Sequence, residues 1–245
     1  MRPVSSGSPS PQTGSERMPL PRHIAVEGPI GVGKTSLTRR LAHHFGWETL
    51  LEGADENPFL PDYYRDPARH ALATQLHFLC QRTQQLQALA QRDLFSPGLV
   101  ADFMFEKDRI FAEISLNAEE FRLYEEIFTR FAPRVPTPDV VIYLVAPIRV
   151  LKARIAQRGI ACEQQILPEY LGSLRAAYDR LFRDYQAAPV LLVETDRVDL
   201  LHDPRHFAVL TRALEAGVKG RQLLEPEEAG LFPAVSPAGP ARLAV

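Results

Sequence analysis

One short segment constrains the fold of this chain more than any other. Residues 28–35 read Gly-Pro-Ile-Gly-Val-Gly-Lys-Thr, which fits the pattern G-x-x-x-x-G-K-[ST]. The segment follows the short apolar run His23–Glu27 and precedes residues 34–45, whose apolar positions recur at a helical period. A glycine-rich loop between a strand and a helix is the setting in which this pattern binds phosphate. The sequence therefore predicts a strand–loop–helix unit whose loop is a phosphate site.

The residue types of this loop suit a nucleoside triphosphate. Glycines let backbone N–H groups approach phosphate oxygens without a clash at Cβ, and the helix N-terminus adds its dipole. Lys34 is expected to reach the β- and γ-phosphates, and the Thr35 hydroxyl is expected to ligate Mg²⁺. The predicted nucleotide-binding residues are Gly28, Pro29, Ile30, Gly31, Val32, Gly33, Lys34, Thr35 and Ser36.

Short apolar runs alternate with helical patterns along the rest of the chain. After the first strand, further strands are predicted at 47–51, 98–101, 139–145 and 190–193. The run 139–145 reads DVVIYLV, a nearly continuous apolar segment that is typical of a strand buried on both faces. Helices are predicted at 34–45, 68–92, 106–113, 117–131, 148–157, 166–186 and 204–215. This order predicts an α/β fold, a five-stranded parallel sheet with helices on both faces.

The two ends of the chain differ in composition from its middle. Both are rich in proline and poor in apolar residues, so they bury too little surface to offset the entropy of ordering. We therefore predict an N-terminal tail over residues 1–22, one domain over 23–218, and a flexible C-terminal tail over 219–245.

Composition and charge exclude several classes of protein. The chain has 245 residues, a hydrophobic fraction of 45% and a net charge of −2, which excludes wholesale disorder and a global basic field for nucleic acid. No run of about 18 apolar residues predicts a membrane span. The two cysteines, Cys80 and Cys162, form neither a disulfide framework nor a zinc pattern. We expect a cytoplasmic protein without nucleic-acid or membrane partners.

Motifs outside the loop resemble those of one family. They are ENPFL with the following YY and Pro over residues 56–67, DFMFEKDRIFA over 102–112, and a basic helix with Arg154 and Arg158. Together with GPIGVGKTSL they resemble the deoxynucleoside kinases, and most closely the bacterial deoxyadenosine/deoxyguanosine branch. The resemblance covers about residues 22–215. It implies transfer of the γ-phosphoryl group of ATP to the 5′-hydroxyl of a deoxynucleoside, a purine, in nucleotide salvage, and it implies a homodimer.

The resemblance also assigns residues to the acceptor. Glu52, at the end of the second strand, matches the general base for the 5′-hydroxyl, with Asp55 and Glu56 as alternatives. Gln75 matches the glutamine that hydrogen-bonds the base. The pair at the sugar 3′-hydroxyl is Tyr64 and Glu163, with Tyr63 as an alternative to Tyr64, and the pair beside the base is Asp108 and Arg82. The aromatic candidates for walling the base are Phe78, Phe103 and Phe111.

Asp102, after the third strand, matches the acidic residue that binds Mg²⁺ directly or through water. The family usually has an arginine beside this acid, but this chain has Phe103. Arg109 or the arginines of the lid must then balance the charge on the transferring phosphoryl group.

Arg154 and Arg158 lie four residues apart, on one face of a helix. They match arginines of a lid that closes over the phosphates, a role for which the planar guanidinium is well suited. Lys152 belongs to the same basic helix, which as an alternative could be a solvated face. Where the family often has a further arginine, after a glycine, this chain has Ile160.

Two other functions are compatible with the loop. A nucleoside monophosphate kinase of the thymidylate type needs cations near the acceptor's phosphate, but residues 52–64 carry four acidic side chains and no basic one. A nucleotide-dependent switch needs ordered switch loops and a residue that orients water. The sequence has no NKxD-type guanine signature. An uncharged acceptor, and hence a deoxynucleoside kinase, is the favoured prediction.

Overall fold

One sheet organises the parts of the chain that the computed structural model describes, residues 20–89, 97–131, 136–225 and 235–237. Within them the strands are β1 His23–Glu27, β2 Glu48–Leu50, β3 Leu99–Ala101, β4 Val140–Val145, β5 Val190–Glu194, β6 Arg221–Leu224 and β7 Val235–Pro237. Their spatial order is β2-β3-β1-β4-β5-β6-β7. The first six strands pair in parallel, and β7 pairs antiparallel with β6.

The predicted number of five strands is wrong, because the sheet continues through β6 and β7. The segment Arg221–Leu224 reads RQLL, too short and too polar to predict a strand. It forms one because β5 offers unpaired backbone groups, and Val190 and Leu192 pair with Arg221 and Leu223. The prediction of a flexible C-terminal tail is therefore wrong for residues 221–224, which form β6. Residues 1–19 of the predicted N-terminal tail lie outside the described residues.

Helices cover both faces of the sheet, as predicted. They are α1 Lys34–Phe45, α2 Leu60–Arg65, α3 Pro67–Leu89, α4 Lys107–Ser115, α5 Ala118–Phe131, α6 Ile148–Arg158, α7 Pro168–Asp184 and α8 Pro204–Ala216. Short 3₁₀ turns lie at Ala54–Glu56 and Ala161–Gln165. Across the described ranges, no helix is both long enough and apolar enough to cross a membrane.

The central strand β4 is buried along its whole length, which confirms the interpretation of DVVIYLV. Its side chains alternate between two cores. Ile142 and Leu144 pack with α1, α6 and α8, whereas Val141 and Tyr143 pack with α4 and α7 on the opposite face. A third cluster joins α3, α4 and α5. Fixed between these layers, the carboxyl ends of the parallel strands meet at one edge, where ligands bind in such sheets.

Gly28 lets the loop after β1 pass close to β4. Its φ of +145° is a backbone conformation that side chains with a Cβ rarely adopt, and a Cβ there would lie 2.3 Å from the carbonyl oxygen of Leu144. A Cβ at residue 28 would therefore force β4 or the loop to move. The glycine is therefore required by packing as well as by the phosphate pattern.

We predict that Gly28→Ala lowers the free energy of unfolding by at least about 2 kcal/mol, because the new Cβ must displace β4 or the loop. Urea denaturation of the purified protein measures this change. Gly172→Ala is the matched control, since Gly172 lies within α7 and a Cβ there meets no atom within 4 Å. The control should be neutral or stabilising by up to about 1 kcal/mol. Equal stabilities of Gly28→Ala and the wild type would contradict the steric argument.

Candidate active site

A cleft of about 1420 Å³ opens at the carboxyl ends of the parallel strands. The loop after β1 and the start of α1 form its floor, with Ile30 to Leu37 among the lining residues. Side chains of α3 and α4 line one side, and side chains of α6 and of the turn after β5 line another. The cleft thus gathers residues that are far apart in sequence at the edge that the topology predicts.

The glycine-rich loop wraps around the side chain of its own lysine. Lys34 Nζ donates to the carbonyl oxygens of Gly28 at 2.8 Å and of Pro29 at 3.2 Å. Gly33 has a φ of +105°, and no side chain caps the N-terminus of α1 that follows it. Burial, together with the charge of Lys107, lowers the pKa of Lys34 to about 8. A buried ammonium beside uncapped N–H groups is an arrangement that favours an anion.

Asp102 ties the loop to the neighbouring strands. The Thr35 hydroxyl donates to Asp102 Oδ2 at 2.6 Å, and the backbone N–H of Glu52 donates to Oδ1 at 2.8 Å. The two residues predicted to hold Mg²⁺ are therefore in contact. No group of three or more His, Cys, Asp or Glu side chains within the described part of the chain could hold a metal. One hydroxyl and one carboxylate fit Mg²⁺, which keeps several waters and takes phosphate oxygens as its other ligands.

Glu52 lies at the end of β2 and is held by two cations. Its Oε1 accepts from Arg82 Nε at 2.8 Å and also from Arg82 Nη2, while Lys107 Nζ donates to its Oε2 at 2.6 Å. Burial opposes ionisation here, but the charges of Arg82 and Lys107 hold the pKa of Glu52 well below its usual range. Glu56, the alternative, is exposed and accepts from Gln81 at 3.1 Å. The side chain of Asp55 lies outside the described residues.

Arg82 joins Glu52 to a second carboxylate. Its Nη1 donates to Asp108 Oδ1, and its guanidinium lies 4.7 Å from the ring centre of Phe78. Asp108 is fully buried, and its Oδ2 has no hydrogen-bond partner among the described residues. Burial raises the pKa of Asp108 to about 6 even beside Arg82. Arg82 lines the cleft but Asp108 does not, and Asp108 is bound to Arg82.

The wall formed by α3 carries the predicted glutamine. Gln75 is buried, lines the cleft, and leaves Oε1 without a hydrogen-bond partner among the described residues. Phe78 and Phe111 also line the cleft. Phe103 does not, because it is fully buried in the cluster with Leu79. The prediction of Phe103 as a wall of the base site is therefore wrong.

The cleft also brings together the residues predicted for a sugar. Tyr64 and Glu163 both line it, and burial with the negative charge of Glu163 raises the pKa of Tyr64 well above its usual range. The carboxylate of Glu163 pairs with Arg158. Tyr63, the alternative, also lines the cleft, but its hydroxyl lies 2.9 Å from Ser115 Oγ.

Both predicted lid arginines line the cleft. Arg154 donates to the carbonyl oxygen of Val32 at 3.2 Å and to Thr195 Oγ1 at 2.8 Å, so it joins the glycine loop to the turn after β5. Lys152 donates instead to the carbonyl oxygen of Ile166 at 2.7 Å. Arg109 pairs with Glu125 at 2.7 Å, and its side chain is 57% exposed. The proposal that Arg109 balances charge in the cleft is therefore wrong.

Two charged residues that sequence reasoning missed belong to this edge. Glu27 is fully buried at the end of β1 and accepts from the N–H groups of Gly28 at 3.0 Å and Met104 at 2.8 Å and from the Tyr178 hydroxyl at 2.9 Å. Lys107 is the other. Glu27 is a charged residue that ends an apolar run directly before the loop, and this position in the sequence could have indicated it. No local signal distinguished Lys107 from its charged neighbours.

Fold and cleft define a class, the parallel α/β proteins that bind ligands at the carboxyl edge of the sheet beside a glycine-rich loop. Within that class, the sequence profile described as deoxynucleoside kinase matches residues 24–219. The chain belongs to the deoxynucleoside kinase family, which confirms the resemblance seen in its motifs.

Individual relatives agree with this assignment. The chain is 32% identical over 189 residues to the deoxyguanosine kinase of Bacillus subtilis, covering 75% of this chain and 91% of that one. It is 33% identical over 190 residues to the deoxyadenosine/deoxycytidine kinase of the same organism, covering 74% and 85%. The structure of deoxyadenosine kinase from M. mycoides with bound dATP shares the fold, with a TM-score of 0.70 at 22% identity over 78% of this chain and 98% of that one.

The buried Asp108 predicts a pH dependence of stability. Because its pKa is higher in the folded protein than in the unfolded chain, the stability linked to its protonated form is present below pH 4 and lost as the pH rises through about 6. An asparagine does not ionise and can still accept from Arg82. We expect the free energy of unfolding of Asp108→Asn, relative to the wild type, to increase by about 3 kcal/mol between pH 4 and pH 7.

Urea denaturation across this pH range measures the difference. Asp62→Asn is the control, because the Asp62 side chain is 45% exposed and pairs with the exposed Arg65 in the same short helix. The control should show no increase of this sign. A difference between Asp108→Asn and the wild type that is constant with pH would contradict the prediction.

Proposed function

We propose that this protein transfers the γ-phosphoryl group of ATP to the 5′-hydroxyl of a deoxynucleoside, and that the acceptor is deoxyadenosine or deoxyguanosine. One observation carries the proposal. The Glu52 carboxylate is held ionised in a cleft that the glycine-rich loop and Gln75 also line. A general base in this cleft shares it with the residues proposed for a triphosphate and for a nucleobase.

The donor side of the proposal depends on the loop after β1. Residues 28–36 bind the phosphates of ATP through backbone N–H groups, and Lys34 exchanges its contacts with loop carbonyls for contacts with the β- and γ-phosphates. Arg154 and Arg158 complete the positive wall from α6. Thr35 and Asp102 would hold Mg²⁺, which neutralises phosphate charge when bound.

The acceptor side depends on Glu52. As the 5′-oxygen attacks the γ-phosphorus, its proton passes to the Glu52 carboxylate, and the bond to the β-phosphate oxygen breaks to release ADP. Catalysis then consists of positioning and charge neutralisation. An uncharged acceptor suits the segment 52–64, which carries four acidic residues and no basic one.

The nucleoside itself is bound by residues that line the cleft. Gln75 presents an amide and a carbonyl oxygen, which has no hydrogen-bond partner among the described residues, to the edge of the base, and Phe78 and Phe111 line the same cleft. Tyr64 and Glu163 receive the 3′-hydroxyl. This arrangement binds a base, a sugar and a reacting hydroxyl at once.

The preference for purines is supported by the relatives, since those with 30% to 33% identity are named deoxyguanosine, deoxyadenosine/deoxycytidine and deoxyadenosine kinases. Deoxycytidine is therefore the pyrimidine to include in any test. A homodimer remains a prediction from the resemblance, and a cytoplasmic location remains a prediction from the composition.

The deciding experiment is a product assay. The purified protein is incubated with ATP and Mg²⁺ and separately with each of the four deoxynucleosides and with dTMP, and the products are identified by mass. We expect a monophosphate from deoxyadenosine or deoxyguanosine. A diphosphate from dTMP alone would instead support the monophosphate kinase, and ADP in every tube without a phosphorylated acceptor would support the switch.

Replacing Glu52, the proposed general base, tests the mechanism. We predict that Glu52→Gln lowers kcat by about 10² to 10⁴-fold, because the amide cannot take the hydroxyl proton. Its affinity for ATP, measured by calorimetry without acceptor, should stay within about threefold of the wild type. Circular dichroism confirms that the variant is folded.

Glu56→Gln is the matched control, as its carboxylate is exposed and bound to Gln81. It should retain the wild-type kcat. Turnover that survives in Glu52→Gln but is lost in Glu56→Gln would transfer the role of base to Glu56.

A further inference from the structure

The site lacks a cation at the position where a resemblance to the family predicts one. Asp102 is followed by Phe103 instead of arginine, and the Phe103 ring is fully buried in the cluster with Leu79 and Phe105. Arg109, the nearest arginine along the chain, is bound to Glu125 on the surface. Neither residue can place positive charge beside Glu52.

Lys107 places a positive charge beside Glu52 from helix α4. It is the first residue of α4, its side chain is only 3% exposed, and it lines the cleft. Its Nζ lies 2.6 Å from Glu52 Oε2 and 5.5 Å from the centre of the Phe111 ring, which confines the ammonium on its other side. Its charge also acts on Lys34. The two lysines therefore belong to one cationic region that extends from the loop to Glu52.

The hydrogen bonds of Glu52 distinguish its two oxygens. Within the described residues, Oε1 accepts two N–H groups of Arg82, whereas Oε2 accepts one hydrogen bond, from Lys107. A carboxylate oxygen has two lone pairs, so Oε1 is saturated and Oε2 keeps one free. The atom that can take a proton from an acceptor hydroxyl is thus the oxygen that Lys107 holds.

We propose that Lys107 is a positioning residue for phosphoryl transfer, which aims Oε2 of Glu52 at the acceptor hydroxyl and supplies the cation missing at Phe103. This inference rests on the proposed function. In the step, the 5′-oxygen forms a bond to the γ-phosphorus, its proton moves to Glu52 Oε2, and the bond to the ADP oxygen breaks. Lys107 keeps its own proton throughout and acts through Glu52.

The test compares three replacements in the full chain. Lys107→Met keeps the length of the side chain without charge, Lys107→Gln keeps a hydrogen-bond donor without charge, and Lys107→Arg keeps both. Arg109→Met is the control, because Arg109 is a cation two residues away that lies outside the cleft. Steady-state kinetics with the preferred deoxynucleoside give kcat and the KM values for both substrates, and thermal unfolding measures the stability of each variant.

We expect kcat to fall by about 10 to 100-fold in Lys107→Met and Lys107→Gln, and the KM for ATP to stay within about threefold. Lys107→Arg should recover kcat to within about fivefold of the wild type, since a guanidinium also donates to a carboxylate. Arg109→Met should behave as the wild type. A merely structural role would instead lower the thermal stability, while kcat per folded molecule would stay that of the wild type.

The proposal is overturned if Lys107→Gln is folded and keeps kcat within threefold of the wild type, even where Lys107→Met does not fold. It is also overturned if Lys107→Arg is as slow as Lys107→Gln while being equally stable. A wild-type protein that forms no monophosphate from any deoxynucleoside would refute the proposed function itself. A wild type that turns over normally beside unaffected Lys107 variants would refute only the role of Lys107.

Discussion

The pairing of buried Arg82 with two carboxylates is the interaction on which the site depends. Removing these charges from water costs several kcal/mol for each ion, and the mutual attraction repays this only with good geometry. Here the guanidinium uses Nε and Nη2 for Glu52 and Nη1 for Asp108. It therefore fixes α3, α4 and the end of β2 relative to one another. Removing Arg82 would leave the buried Asp108 without its ion pair, so the three elements hold together as one charged unit.

Buried carboxylates at the ends of other strands also join neighbouring segments along the edge of the sheet. Glu27 at the end of β1 and Asp102 after β3 are both buried, and each accepts backbone N–H groups from neighbouring segments. A carboxylate that accepts such bonds holds loops whose N–H groups would otherwise lack partners. The glycine-rich loop is thus held by the carboxylates of Glu27 and Asp102 and by its own Lys34.

The sequence predicts those elements of the structure that have a local sequence pattern. The glycine-rich loop, the buried strand β4 and the helix faces follow from spacing alone, and five of the strands were predicted near their observed bounds. Strand β6 was missed because its four residues become a strand only through pairing with β5. Phe103 was misjudged and Lys107 was missed for a related reason, since the direction of a side chain after a strand depends on the helices that cover it. The roles proposed for Glu52 and Gln75 come from family resemblance, and no periodicity would have provided them.

The pairing of β6 with β5 has a practical consequence for the boundaries of this protein. The part shared with the family ends at residue 219, two residues before β6 begins. A chain shortened to that boundary would leave β5, an apolar strand, without the partner that Val190 to Leu192 have on the side away from β4. Such a strand is a template for pairing with another molecule, and it favours aggregation. The domain therefore needs residues beyond the region of family similarity to remain monodisperse.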